Sequence, residues 1–160
     1  QINFNAENMN RYLDGGDYQY HQLVIITMHE MGHIFGVLGG NYYDRSWRGG
    51  ASALYKSPDS NTRYKFNEII DNSTGTPMMI LPGVRDVVSS HFNCSTRVGA
   101  KMSSSMGHWD GAVFARELMT PSIGALDNRV TPLTLSLYKE TGWYADVDMQ
   151  TSWALITGKG

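Results

Sequence analysis

Apolar side chains recur at helical spacing between about Tyr20 and Val37, where no proline interrupts the chain and the first glycine is Gly32. Residues three and four positions apart share one face of a helix, so this pattern predicts a mostly buried helix. The glycine pair at 39 and 40 is predicted to end it. The prediction depends on the apolar positions Leu23, Val24, Ile26, Met31, Ile34 and Phe35.

Two shorter patterns predict strands. In the opening segment "QINFN", Ile2 and Phe4 alternate with polar neighbours, which is typical of a short strand, and a polar turn containing "DGGD" follows. The segment "TPMMIL" favours a second short strand. Between the helix and this strand, residues 41–63 show no period and are predicted to be a long surface excursion, and loops of that length are commonly functional or disordered.

Proline begins two further predicted helices. Pro82 starts "PGVRDVVSSHF", and Pro132 follows a capping Thr131 in "TPLTLSLYKETGW", where Gly142 suits the helix exit. The segment "RVGAKMSSSMG" is predicted to be a polar connection, and "HWDGAVFARELM" to be weakly helical. The inward-facing positions are Val84, Val87 and Val88 in the first helix, and Leu133, Leu137 and Tyr138 in the second.

Length and charge narrow the function classes. A chain of 160 residues that is 41% hydrophobic is long enough for one domain with a core. A net charge of -2 provides no basic stripe for phosphates, so nucleic acid is not an expected partner. The chain has no apolar run of about 18 residues and no signal-peptide pattern in its first residues. We therefore expect a soluble chain that begins after any targeting segment.

The single cysteine, Cys94, leaves the compartment open. A lone thiol is typical of a reducing compartment, because it cannot form a bridge within these residues. Against that, Asn72 in "NST" and Asn93 in "NCS" fit the glycosylation acceptor pattern of secreted proteins.

The segment "MHEMGHIFG" places two histidines one helical turn apart. His29 and His33 lie about 40° apart around the helix axis and about 6 Å along it, so both rings can reach one cation. Zinc is the natural candidate, and Glu30 beside the metal is placed to act as a base for its water. The alternative is that the three residues share this spacing by chance. Gly32 and Gly36 argue against chance, because glycines inside a helix without an obvious packing reason suggest a constraint other than folding.

A third ligand has to come from elsewhere in the chain. His21 is eight residues before His29, about 12 Å along the same axis, and is too far away. His91, His108 and a carboxylate remain, and His91 follows an apolar helical face, where a satisfied histidine is common. Met119 in "ELMTP" precedes a proline turn and matches the Met-turn of the metzincins, which favours His108. On this interpretation a long insertion separates the third histidine from the helix.

Five segments in this order resemble the leishmanolysin family of zinc metalloproteases, including its invadolysin-like relatives. They are "HEMGHIFG", "HFNCST", "GHWD", "ELMTP" and "PLTLSLYKETGWY". The opening "INFNA" is similar to that family's lead-in strand, and the family also has a large insertion before its third histidine. The resemblance covers nearly the whole chain.

The resemblance implies an α+β fold, a metzincin-like zincin catalytic domain with an active-site helix and a mainly helical C-terminal subdomain. Residues 1–160 would form part of a metalloprotease catalytic domain. Its last strand and active-site helix would lie in 1–38, an insertion in 39–107, and the third ligand, Met-turn and C-terminal helix in 108–160. Most of the upstream sheet is expected outside this chain.

The resemblance also implies the site. Zinc would be bound by His29, His33 and His108, with Glu30 as general base and Met119 as the Met-turn residue. An extracellular or cell-surface location is implied as well. Cys94 would then pair with a cysteine outside this chain, and any membrane anchor would also lie outside it.

The predicted function is that of a zinc-dependent endopeptidase, in which Glu30 activates the zinc-bound water and then protonates the departing amine. Expected partners are protein or peptide substrates, and either the remainder of the same protease, with its upstream sheet and downstream Cys-rich region, or an associated chain. One alternative is a surface or assembly protein that retains the fold without proteolysis, although a purely structural zinc site would not need Glu30. Another is a cytosolic zinc peptidase in which Cys94 is a free thiol.

Overall fold

The computed structural model describes residues 3–37, 66–122 and 128–151. Helices and one small antiparallel sheet make up the regular structure of these residues, which is compatible with the predicted α+β class. The metzincin-like architecture stays a prediction. In chain order the elements are α1 (Ala6–Leu13), α2 (Asp17–Phe35), α3 (Phe66–Ile69), β1 (Ile70–Asp71), β2 (Met78–Met79), α4 (Pro82–Phe92), β3 (Ala100–Lys101), α5 (Pro132–Thr141) and a 3-10 helix (Met149–Thr151).

Helix α1 occupies a region where the sequence predicted a strand and a turn. Asn5 caps it, since its side chain accepts hydrogen bonds from the backbone N–H groups of Glu7 and Asn8. The strand prediction is wrong for residues 3–5, which lead directly into this helix, whereas residues 1 and 2 lie outside the described part of the chain. Helix α1 packs along α2.

The predicted long helix is confirmed as α2, but its end and its burial differ from the prediction. It ends at Gly36, whose φ of 153° suits glycine and whose N–H bonds to the carbonyls of Gly32 and His33. Few of its side chains are buried, so the expectation of a mostly buried helix is wrong. Its exposed apolar residues, at 37% to 51% exposure, include Val24, Met28, Met31, Ile34 and Phe35. None of the described helices has the length and apolar character needed to cross a membrane.

Three two-residue strands form an antiparallel sheet in the order β1-β2-β3. Met79 pairs with Ile70 on one side and with Ala100 on the other. All three side chains are buried. The strand predicted in "TPMMIL" is confirmed by β2, but the prediction of a polar connection in "RVGAKMSSSMG" missed β3. Strand β3 is only two residues long and has polar neighbours, so the sequence shows no alternating pattern there.

Both helices predicted to begin with proline are present. Thr131 caps α5 by accepting a hydrogen bond from the N–H of Leu133, and Gly142 ends the helix with a φ of 64°. Helices α4 and α5 pack together, and the core lies between them, the sheet and the segment 109–119. The largest fully buried side chains are Trp109, Phe114, Ile69, Ile70, Met79, Leu81, Met102, Met119 and Leu133.

Residues 108–119 form turns instead of the predicted weak helix. The Asp110 carboxylate accepts hydrogen bonds from the N–H groups of Ala112 and Val113, which stabilises a local turn. Trp109 and Phe114 are then both buried in the core. The predicted surface excursion at 41–63 lies outside the described residues.

Candidate metal centre

Three histidine side chains converge at one site. His29 and His33 lie one turn apart on α2, and His108 comes from the turns after β3. The Nε2 atom of His29 lies 3.2 Å from Nε2 of His33 and 3.2 Å from Nε2 of His108. One ring nitrogen from each residue lies within 4.8 Å of the others, so the three can hold one metal ion.

The other ring nitrogens of His29 and His33 bond to backbone carbonyls. Nδ1 of His29 lies 2.7 Å from the carbonyl oxygen of Leu118, and Nδ1 of His33 bonds to the carbonyl oxygen of Val37. A carbonyl oxygen only accepts, so each Nδ1 carries the proton and each Nε2 presents a lone pair. Two lone pairs facing each other at 3.2 Å repel unless a cation lies between them. The donor set therefore fits a metal ion.

Burial keeps two of these rings neutral. It lowers the pKa of His29, and it lowers the pKa of His108 to about 4, with the neighbouring His33 and His29 acting in the same direction. Neutral imidazole is the form that binds a metal ion. At neutral pH these two rings can bind a metal without first losing a proton.

Backbone pairing positions His108. The N–H of Ser103 donates to the His108 carbonyl at 2.9 Å, and Met102 pairs with Trp109 in an isolated bridge. Lys101 forms a salt bridge with Asp110 at 3.2 Å across the same hairpin-like segment. Because these contacts pair His108 and the two residues after it with residues 101–103, they hold its backbone beside β3.

Met119 forms the floor beneath α2, where Gly32 makes room for it. Met119 is fully buried, and its carbonyl accepts a hydrogen bond from the N–H of Trp109 at 2.9 Å. A Cβ on Gly32 would overlap the Met119 sulfur and would lie 3.1 Å from the Tyr138 hydroxyl oxygen. A Cβ on Gly36 would be less crowded but still tight, at 3.3 Å from side-chain carbons of Tyr138 and Thr141. The sequence interpretation that these glycines lack a packing reason is therefore wrong, because both permit close packing.

Glu30 is exposed and lines a cleft beside the histidines. The cleft has a volume of about 500 Å³ and lies between α1 and α2. Sequence reasoning missed the side of the cleft that α1 forms, because it did not predict α1. The residues that line the cleft are Asn3, Phe4, Asn5, Asn8, Met9, Arg11, Tyr12, Leu23, Ile26, Glu30, His33 and Ile34.

The remaining histidine candidates are not part of the cluster. His21 is exposed on α2, and His91 is half-buried with its ring centroid 4.7 Å from that of Phe92. Sequence reasoning also missed the two carbonyls that orient the rings, at Leu118 and Val37. A backbone acceptor has no signature in residue type, so no pattern in the sequence pointed to them.

Comparison with known proteins identifies distant metallopeptidase relatives. The chain is 26% identical over 144 residues to ciliated left-right organizer metallopeptidase of Mus musculus, a match that covers 86% of this chain and 20% of that protein. It is 25% identical over 156 residues to the protein of the same name from Homo sapiens, covering 94% of this chain and 19% of that protein. The chain thus spans about a fifth of the length of these curated relatives. No protein-family model and no solved structure matches it. The likeness supports a metallopeptidase at a coarse level, and the leishmanolysin resemblance stays a prediction.

Proposed function

We propose that the chain carries the catalytic centre of a zinc-dependent endopeptidase that hydrolyses peptide bonds in protein substrates. The observation that carries the proposal is the convergence of His29, His33 and His108, with Glu30 beside them at the edge of an open cleft. The distant likeness to named metallopeptidases supports the same class of reaction.

Zinc fits the donor set better than a hard cation does. Three imidazole nitrogens are typical zinc ligands, whereas magnesium and calcium prefer oxygen. Two nitrogen atoms that bind one tetrahedral zinc ion at the usual distance of about 2.0 Å lie about 3.3 Å from each other. The two Nε2 distances of 3.2 Å agree with that separation. We therefore assign His29, His33 and His108 as the proposed zinc ligands.

Bound zinc would supply Lewis-acid polarisation of the scissile carbonyl and would increase the acidity of water at the site. Glu30 follows the ligand His29 directly and lines the cleft. Its carboxylate takes a proton from the attacking water and delivers it to the departing amine, so it acts first as general base and then as general acid. The cleft admits the substrate chain next to His33 and Glu30.

We also propose an extracellular or cell-surface location. The two asparagines of the glycosylation patterns, Asn72 and Asn93, are both exposed and accessible to modification. Cys94, between α4 and β3, is half-buried and forms no disulfide within the described residues. In the proposed location it pairs with a cysteine outside this chain, which mass spectrometry of the non-reduced protein would detect.

Cleavage assays on the whole protein test the proposed function. We expect zinc-dependent cleavage of casein that a chelator abolishes and added zinc restores. Glu30→Gln is expected to lower kcat by about 10²- to 10⁴-fold while the protein keeps its zinc. Asp86→Asn, which removes an exposed carboxylate on α4, is the matched control and should cleave normally. A zinc-loaded wild type that cleaves nothing would favour the non-proteolytic surface or assembly protein.

A further inference from the structure

One buried carboxylate lies between the metal centre and α5. Glu117 is 2% exposed, and its two oxygens accept four hydrogen bonds. Oε2 accepts from the N–H of Met119 at 2.5 Å. Oε1 accepts from the hydroxyl of Thr134 at 2.5 Å, and from the hydroxyl and the N–H of Thr131 at 3.3 and 3.4 Å. The side chain thus joins the turn containing Met119 to the first turn of α5.

The first connection from Glu117 to a histidine runs along the backbone. Leu118 lies between Glu117 and Met119, and its carbonyl is the acceptor for Nδ1 of His29 at 2.7 Å. The N–H of Leu118 donates to the Arg129 carbonyl at 2.8 Å. The Leu118 carbonyl and the Met119 N–H belong to the same peptide group. Because Glu117 accepts a hydrogen bond from that N–H, it sets the orientation of the carbonyl that bonds to His29.

The second connection runs through two side chains. The Thr134 hydroxyl that donates to Glu117 also accepts a hydrogen bond from Nε1 of Trp109 at 2.9 Å. Trp109 is fully buried and directly follows His108. Glu117, Thr134 and Trp109 therefore form a continuous buried chain of hydrogen bonds that ends one residue from His108.

We propose that Glu117 is a positioning residue of the metal centre, which orients His29 through the Leu118 carbonyl and His108 through Thr134 and Trp109. The inference rests on the proposed function, because it concerns how well the three histidines are arranged for zinc. Outer partners that orient ligating histidines typically change metal affinity by about 10- to 100-fold when they are replaced.

The charge on Glu117 is costly for the fold, which argues for a role beyond packing. Burial raises its pKa to about 7, although its hydrogen bonds act in the opposite direction. An apolar side chain in such a position avoids this desolvation cost. However, both oxygens of an ionised carboxylate act only as hydrogen-bond acceptors, and all four hydrogen bonds to the Glu117 carboxylate come from donors.

Zinc affinity measured by competition with a chromophoric chelator, on the whole protein, tests the inference. Glu117→Gln keeps the shape, but its amide nitrogen must face a donor. Thr134→Val removes the hydroxyl between Glu117 and Trp109. We expect each variant to bind zinc about 10- to 100-fold more weakly than wild type. Thr134→Ser retains the hydroxyl and should restore affinity close to that of wild type.

Thr141→Val is the matched control for Thr134→Val. Thr141 is equally buried on α5, and its hydroxyl bonds to the Tyr138 carbonyl and accepts from the N–H of Trp143. We expect this variant to lose stability while it keeps its zinc affinity. Unfolding of the metal-free proteins by denaturant, measured in parallel, separates a general loss of stability from a specific loss of affinity.

Two outcomes overturn the inference in different ways. Unchanged zinc affinity in Glu117→Gln and Thr134→Val, with a wild type that binds zinc tightly, overturns the positioning role and leaves the proposed function intact. If Glu117→Gln does not fold, Thr134→Val and Thr134→Ser decide the question. A wild type that binds no zinc at all overturns the proposed function, and the positioning role with it.

Discussion

The Met119 sulfur occupies the space that a side chain at Gly32 would need, in the turn of α2 between His29 and His33. Tyr138 completes this contact from α5, since its hydroxyl donates to the Gly32 carbonyl at 3.1 Å. The helix that carries two histidines and the turn that follows the third are thus in direct contact. Side-chain volume at position 32 controls their separation.

Gly32→Ala is therefore expected to push α2 and Met119 apart. Overpacking of this kind costs about 1 to 3 kcal/mol, and the overlap with the Met119 sulfur favours the upper part of that range, above the gain of about 1 kcal/mol in helix propensity. We expect a lower unfolding midpoint in denaturant and weaker zinc binding. Gly111→Ala is the control, because a Cβ there has only Pro121 at 3.8 Å as a neighbour. Equal stability of the two variants would contradict the close packing.

Zinc should stabilise the wild type through His108. A ligand that binds only the folded state adds about 2.7 kcal/mol at one hundred times its Kd. We expect this increase, measured as the difference in unfolding free energy with zinc and with chelator, to disappear in His108→Ala. His21→Ala removes an exposed histidine of α2 and should keep the full increase. A zinc effect that survives in His108→Ala would exclude His108 as a ligand.

The buried Glu117 carboxyl should make stability depend on pH. Burial raises its pKa from 4.5 to about 7, so the folded protein holds this proton more tightly than the unfolded chain does. The stability that this group contributes is fully present below about pH 4.5 and is lost as the pH rises through about 7. The shift corresponds to about 3 kcal/mol. We expect metal-free Glu117→Gln to lose correspondingly less stability than metal-free wild type between pH 4.5 and 8, and parallel curves would contradict the shift.

The cleft between α1 and α2 should control substrate binding. Asn8 is exposed on the wall of the cleft, so Asn8→Trp would fill part of its volume of about 500 Å³. We expect a higher KM with a smaller effect on kcat, because the change removes substrate binding and leaves Glu30 in place. Asn10→Trp puts the same bulk on an α1 residue that does not line the cleft, and should cleave normally. Identical kinetics for both variants would place the substrate elsewhere.

Local rules in the sequence predicted those helices whose ends carry strong signals. Thr131, Pro132 and Gly142 set both ends of α5, because capping and left-handed backbone depend on the residue at one position. Helix α1 escaped prediction because most of its residues are polar and exposed, although its few apolar residues recur at helical spacing. Strand β3 escaped because tertiary pairing with Met79, more than its own pattern, defines it.

The sequence by itself determined the spacing of His29, Glu30 and His33, because helix geometry converts four positions into one turn. It also singled out His108 and Met119, through a resemblance instead of a derivation. Only the tertiary structure decided that the ring of His108 meets the other two, that the Leu118 carbonyl orients His29, and that Gly32 leaves room for Met119. These contacts join residues about 80 or more positions apart, as the separations of 79 for His29 and His108 and 89 for His29 and Leu118 illustrate. No hydrophobic periodicity in the sequence predicts these contacts, because they form only when distant segments pack together around Trp109 and α5.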